Sequence, residues 1–174
     1  MVNIKTQRLT IVRLTHQDTD FISHLVNEPN FIRYIGDKKV VDRPSAIAYL
    51  NQGPLASYQR HGFGLYKVSL DDGTPIGVCG LLKREELEAP DLGFAFLKKY
   101  NGLGYAFEAA KAVLCYERQH HSYALICAIT AIDNQPSMAL LAKLGFELVI
   151  GQGRPDCGMF EPANYFELTF TQAD

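Results

Sequence analysis

One stretch limits what this 174-residue chain can fold into more than any other. Asp91 to Leu97 is short and apolar enough for a strand, and Tyr105 to Gln119 carries Ala106, Ala109, Ala110, Val113 and Leu114 on one helical face. Between them lies Lys98-Lys99-Tyr100-Asn101-Gly102-Leu103-Gly104. Two glycines two apart let the backbone turn tightly and approach a ligand closely. Successive N–H groups at a helix start, on the positive end of its dipole, favour an anion. The stretch therefore predicts a strand, an anion-binding turn at Gly102 to Tyr105, and a helix packed on a sheet through small residues.

Bulk properties narrow the partners. A chain of this length is read as a single domain, 1–174, with enough apolar residues for a real core. A net charge of -2 gives no electrostatic reason to expect nucleic acid or an anionic membrane. No apolar run approaches the roughly 20 residues of a membrane span, and Met1 to Lys5 lacks the apolar core of a signal peptide. Cys79, Cys115, Cys127 and Cys157 form no Cys-x-x-Cys pair, and the expectation is reduced, buried thiols in a cytoplasmic protein. No metal site is expected; His120-His121 reads as a cationic helix end.

In chain order, Thr6 to Leu14 alternates as a strand, and Thr15 with Asp18 marks the start of a helix carrying Phe21, Ile22, Leu25 and Val26. Phe31 to Ile35 is a short apolar piece, and Pro44 opens a helix over 45–60. Two strands, 63–70 and 75–82, flank a turn at Asp71-Asp72-Gly73-Thr74. A charged loop over 83–90 precedes the strand at 91–97. After the long helix come an apolar strand over 123–130, a short helix opened by Asn134 and Pro136 and closed by Gly145, and strands over 146–150 and 165–170. The order is β-α-α-β-β-β-α-β-α-β-β. It predicts a mixed α/β sheet, mostly antiparallel with one parallel crossover, and helices on both faces.

Two other phosphate motifs fail. A dinucleotide fingerprint needs a third glycine where Phe107 stands, and an acid about 20 residues on, nearer than Asp133. A P-loop needs Gly-Lys-Ser/Thr, which is absent after the turn.

Lys99-x-x-Gly102-x-Gly104 resembles the pyrophosphate loop of the GNAT superfamily of N-acetyltransferases, with Lys99 where Gln or Arg is usual. Thr6-Gln7-Arg8-Leu9, Asn27-Glu28-Pro29, Asp91-Leu92-Gly93-Phe94, Asn134-Gln135-Pro136-Ser137 and Lys143-Leu144-Gly145-Phe146 stand in the order seen in the branch similar to ribosomal-protein alanine acetyltransferases. The resemblance covers nearly the whole chain. It implies a sheet splayed between the fourth strand (91–97) and the fifth (123–130), with acetyl-CoA in the cleft. It also implies an amine acceptor: a protein N-terminal α-amine, or a small amine such as a polyamine, aminoglycoside or amino acid. A non-catalytic acyl-CoA sensor is the alternative of a different class. Homodimers are common in the family.

Coenzyme A needs a strand edge for its amide-rich arm, N–H groups for its pyrophosphate and positive charge nearby. Phe94, Ala95 and Phe96 offer the first. Lys99, Tyr100, Asn101, Gly102, Leu103, Gly104 and Tyr105 offer the second, with Lys98 and Lys99 supplying charge. The resemblance places Ser137 by the coenzyme sulfur and Asn134 by the arm, although Asn134 and Ser137 are also spaced as a helix cap. The family's usual strand glutamate is replaced by Ile129, leaving Asp156 and Glu161 in the last loop as candidate bases. Phe31, Tyr34 and Asp91 are candidates for the acceptor pocket, with Tyr58 and Phe63 beside them.

Overall fold

A computed structural model describes residues 2–121, 123–150 and 163–170. Its elements are β1 (Asn3–Lys5), β2 (Leu9–Arg13), α1 (Thr19–Val26), α2 (Pro29–Ile35), α3 (Arg43–Leu50), α4 (Ala56–His61), β3 (Leu65–Leu70) and β4 (Pro75–Leu82). They continue through β5 (Asp91–Phe96), α5 (Tyr105–His120), β6 (Leu125–Ala131), α6 (Gln135–Lys143), β7 (Glu147–Val149) and β8 (Ala163–Thr169). The strands lie in the order β1-β2-β3-β4-β5-β6-β8-β7. Every pairing is antiparallel except β5 with β6.

That parallel pair is the break in the sheet. β4 and β5 stay in register from Gly77–Phe96 to Leu82–Asp91, and β6 pairs with β8 from Leu125 to Ala131. Between β5 and β6 the register holds only at Asp91 and Cys127, beside the Cys127 N–H donating to the Pro90 carbonyl at 3.0 Å. Beyond it the strands part, leaving the outer edge of Gly93 to Phe96 facing a gap. The mixed sheet and its splay are those expected. The splay falls between the fifth and sixth strands because Asn3–Lys5 adds one at the start. Three residues with no strong β former except Ile4 give almost no pattern to read.

Helices cover both faces. Leu14, Ile22, Leu25, Val26, Phe31, Ala46 and Leu50 meet Val78 and Leu97 on one side. On the other, α5 presses Ala109, Ala110 and Val113 against Ile11, Val68, Ile76 and Leu81. The absence of bulk at Ala109 and Ala110, both wholly buried, sets how closely the helix lies on the sheet.

Local chemistry explains where expectation and structure differ. Pro29 stands in the first turn of α2, so Phe31 to Ile35 is helical rather than a loose apolar piece. The helix expected over 45–60 is interrupted by a π-helical turn at Asn51–Leu55, since Pro54 cannot donate to an α-helical ladder. Tyr58 and Phe63, expected by the acceptor, are core residues; the Tyr58 hydroxyl accepts from the Leu14 N–H at 3.0 Å and donates to the Leu65 carbonyl. Cys79 and Cys127 are buried but Cys115 is exposed, and Cys157 lies outside the described residues. Among the described residues no helix is long and apolar enough to cross a membrane.

Candidate active site

The gap between β5 and β6 opens a cleft of about 930 Å³. One end is made of backbone. β5 runs through a 3-10 turn at Lys98–Tyr100 into the glycine loop, whose Gly102 and Gly104 have φ of 75° and 82°. A side chain at either would strain this left-handed backbone. Gly104 is the N-cap of α5, and the Glu108 N–H donates to its carbonyl at 3.1 Å. The first free N–H groups of α5 therefore begin in the loop, which lines the cleft.

Tyr100, Asn101, Gly102, Gly104 and Tyr105 line this end, next to Phe94, Ala95 and Phe96. Lys99 and Leu103 do not. The Lys99 ammonium lies 4.8 Å from the centre of the Tyr100 ring, and the Leu103 side chain is exposed. The Lys98 N–H is held by Glu28 at 3.2 Å, tying the turn to the start of α2.

The opposite wall is β6 and α6. Asn134 caps α6, its side-chain oxygen accepting from the Ser137 N–H at 3.3 Å, and both residues line the cleft half-buried. Ser137 is thus both a capped residue and a cleft residue. Thr130, unremarked in the sequence, lines the same wall; its hydroxyl is buried and has no partner among the described residues.

The far end is built from side chains. Phe31 and Tyr34 of α2 face Leu82, Asp91 and Gly93 across the space. Asp91 is not a solvated carboxylate: it is 2% exposed, and Arg84 Nε donates to both its oxygens at 3.0 Å. Burial pushes its carboxyl above the ordinary value, and the Arg84 charge only partly offsets this. Lys38 lies at this end too, its ammonium held below the ordinary value by burial and by Arg84. Arg84 sits in the stretch read as a charged loop, and neither its spacing nor that of Lys38 marks a site. Asp156 and Glu161 lie outside the described residues.

Residues 8–147 match the family model of the acetyltransferase (GNAT) domain. The chain belongs to the GNAT acetyltransferase family. It is an N-acetyltransferase, and acetyl-CoA is the acetyl donor of that family. The uncharacterized N-acetyltransferase YnaD of Bacillus subtilis (strain 168) is 26% identical over 145 residues, covering 83% of this chain and 82% of the relative. An acetyltransferase structure from Agrobacterium tumefaciens str. C58 superposes with a TM-score of 0.79 at 20% identity, over 98% of this chain and 95% of that one. A Salmonella typhimurium acetyltransferase that modifies the N-terminal serine of ribosomal protein L7/L12 gives a TM-score of 0.77 at 14% identity, over 98% and 100%. At these identities the two structures speak for the GNAT fold alone. Within that fold, the expected resemblance holds at the level of the family.

Proposed function

We propose that this chain binds acetyl-CoA along the outer edge of β5 and transfers its acetyl group directly to a primary amine, a protein N-terminal α-amine above all. The observation that carries this is continuity. The strand edge freed by the splay at Asp91–Cys127 runs directly into the glycine loop and the first N–H groups of α5. An extended, amide-rich arm ending in a pyrophosphate fits that sequence of groups: strand-like hydrogen bonds first, an N–H cradle next.

The chemistry needs little from the protein beyond placement. The neutral amine nitrogen attacks the thioester carbon, forming a C–N bond and putting negative charge on the carbonyl oxygen. A backbone N–H of β5 near Phe94 or Ala95 is suited to stabilise that charge. Collapse breaks the C–S bond, and the thiolate takes a proton, with Ser137 as the hydrogen-bonding group beside it. The amine's own proton leaves through water or a carboxylate of the last loop, Asp156 or Glu161. No covalent enzyme intermediate is required, because holding both reactants in one cleft supplies much of the rate. Phe31, Tyr34 and Asp91 face the acceptor, Asp91 through the groups it orders. The protein N-terminus is put first because the ordered motifs of this chain resemble the ribosomal-protein branch; the Salmonella relative in fold acts on such a terminus.

The test is calorimetric titration with acetyl-CoA, followed by a panel of peptide N-termini and small amines with thiol release as readout. Binding with turnover on peptides supports the whole proposal. Turnover confined to polyamines, aminoglycosides or amino acids replaces the acceptor. Binding without any turnover makes the domain a sensor, and no binding at sub-millimolar acetyl-CoA overturns the coenzyme site.

A further inference from the structure

Arg8 is not among the cleft-lining residues and stands just before β2, yet four of its groups reach the glycine loop and the helix behind it. Its Nε and Nη2 both lie 2.7 Å from Glu108 Oε2, and its backbone N–H donates to Glu108 Oε1 at 2.9 Å. Its Nη1 donates to the Leu103 carbonyl at 3.0 Å. The guanidinium also stacks over the Tyr105 ring, 4.4 Å from its centre. Thr6 adds its hydroxyl to Glu108 Oε1 at 2.6 Å.

Two physical consequences follow. Glu108 stands in the first turn of α5, where an uncompensated carboxylate would satisfy the helix dipole itself and repel an incoming phosphate. Arg8 cancels that charge; although burial alone would raise the Glu108 carboxyl, the hydrogen bonds from Thr6 and Arg8 hold it below the ordinary value. The second consequence is geometric. In a planar trans peptide the carbonyl and the following N–H point in opposite directions. Fixing the Leu103 carbonyl on Arg8 therefore aims the Gly104 N–H away from Arg8, and Gly104 lines the cleft.

We propose that Arg8 is a positioning residue for the diphosphate of the acyl donor: it neutralises Glu108 and turns the Gly104 N–H toward the ligand. This rests on the coenzyme assignment made above. Its effect is confined to the phosphate end of the ligand and runs through Glu108 and the Leu103–Gly104 peptide, not through contact with the ligand.

The experiment titrates the full chain, by calorimetry, with acetyl-CoA and with 3′-phospho-ADP, which keeps the diphosphate and lacks the arm. Arg8→Gln should weaken both ligands by the same factor, about tenfold, as a charge-assisted contact at a helix start predicts. Arg8→Gln/Glu108→Gln should regain most of that loss, because the uncompensated carboxylate is gone. A merely structural clip gives the opposite: the double variant, with both halves removed, binds no better than the single one. Should Arg8→Gln fail to fold in a thermal melt, Arg8→Lys carries the test, keeping charge without the fork and weakening both ligands about threefold. Wild-type affinity in the variant that folds, or no recovery in the double variant, overturns the role of Arg8. A wild-type chain that binds neither ligand overturns the coenzyme assignment along with it.

Discussion

The two ends of the cleft are built by different means. The loop end is nearly all backbone: Phe94 to Tyr105 is one uninterrupted segment, and its polar groups are N–H donors aimed by two left-handed glycines. The far end is assembled from side chains that meet only after folding, with Phe31 and Tyr34 from α2, Arg84 from a loop and Asp91 from β5. On the function proposed above, the backbone cradle takes the part of the ligand common to every acetyl donor of this kind. On the same proposal, the side-chain end sets which amine is accepted. This division predicts that damage to the loop end removes coenzyme binding altogether, and that damage to the far end appears first as lost stability and altered acceptor use.

The largest effect belongs to the loop. Gly104→Glu adds a Cβ at φ 82° and puts a carboxylate into the cradle. A Cβ there would also stand 3.4 Å from Arg8 Nη2. Strain and like-charge repulsion together should weaken acetyl-CoA by about 100-fold or more, about 2.7 kcal/mol. Calorimetry at wild-type affinity would remove the loop from the coenzyme site.

The same test at the far end reads differently. Arg84→Met takes from the buried Asp91 carboxyl the cation that donates to both its oxygens. Loss of one partner from such a pair should cost about 2 kcal/mol of unfolding free energy near neutral pH. Because burial already raises the folded-state value of Asp91, the folded protein holds this proton to higher pH than the unfolded chain. Its contribution to stability is therefore full below the unfolded value near 3.9, and it falls as pH rises through the folded one. The variant's deficit should shrink on acidification as Asp91 takes up a proton. A deficit in urea unfolding that is the same at pH 5 and pH 8 would show that Arg84 does not serve by its charge.

How much of each end was legible follows from how it is made. Gly102, Gly104 and the alanine face of α5 are a local pattern, readable in one pass, and the N-cap at Asn134 is equally local. The splay is a tertiary fact, and no residue in β6 announces it. The Arg84–Asp91 pair spans a loop whose charges all look solvated in sequence. Glu108 hides its role for the same reason, since its partner Arg8 lies 100 positions earlier. Glu117 makes the point again: it is wholly buried on α5, accepting from the Tyr66 hydroxyl at 2.6 Å, in a stretch that reads as a polar helix end.

Between the two ends stands Ser137, and its substitution separates the roles its position allows. Its backbone N–H takes part in the Asn134 cap, so Ser137→Ala leaves that hydrogen bond and the helix in place. Only the hydroxyl of this cleft-lining residue is lost. The expected result is a fall in kcat of about tenfold, about 1.4 kcal/mol, at unchanged acetyl-CoA affinity and unchanged melting temperature. An unchanged kcat would reduce Ser137 to its place in the cap.

The smallest effect is expected at Lys99, and it is the sharpest test of a backbone cradle. Lys99 occupies the position where the family pattern has Gln or Arg, and by charge alone it is the obvious phosphate ligand. Its ammonium lies over the Tyr100 ring and it is not among the cleft-lining residues. An exposed lysine near a phosphate contributes through a screened field, not a hydrogen bond. Lys99→Gln, which restores a family residue, should change acetyl-CoA affinity by less than about threefold, about 0.6 kcal/mol. The change should also diminish as salt is raised. A loss near that of Gly104→Glu would mean that the lysine swings into the cleft on binding. The loop end would then depend on a side chain after all, and its contrast with the acceptor end would be one of sequence distance, not of construction.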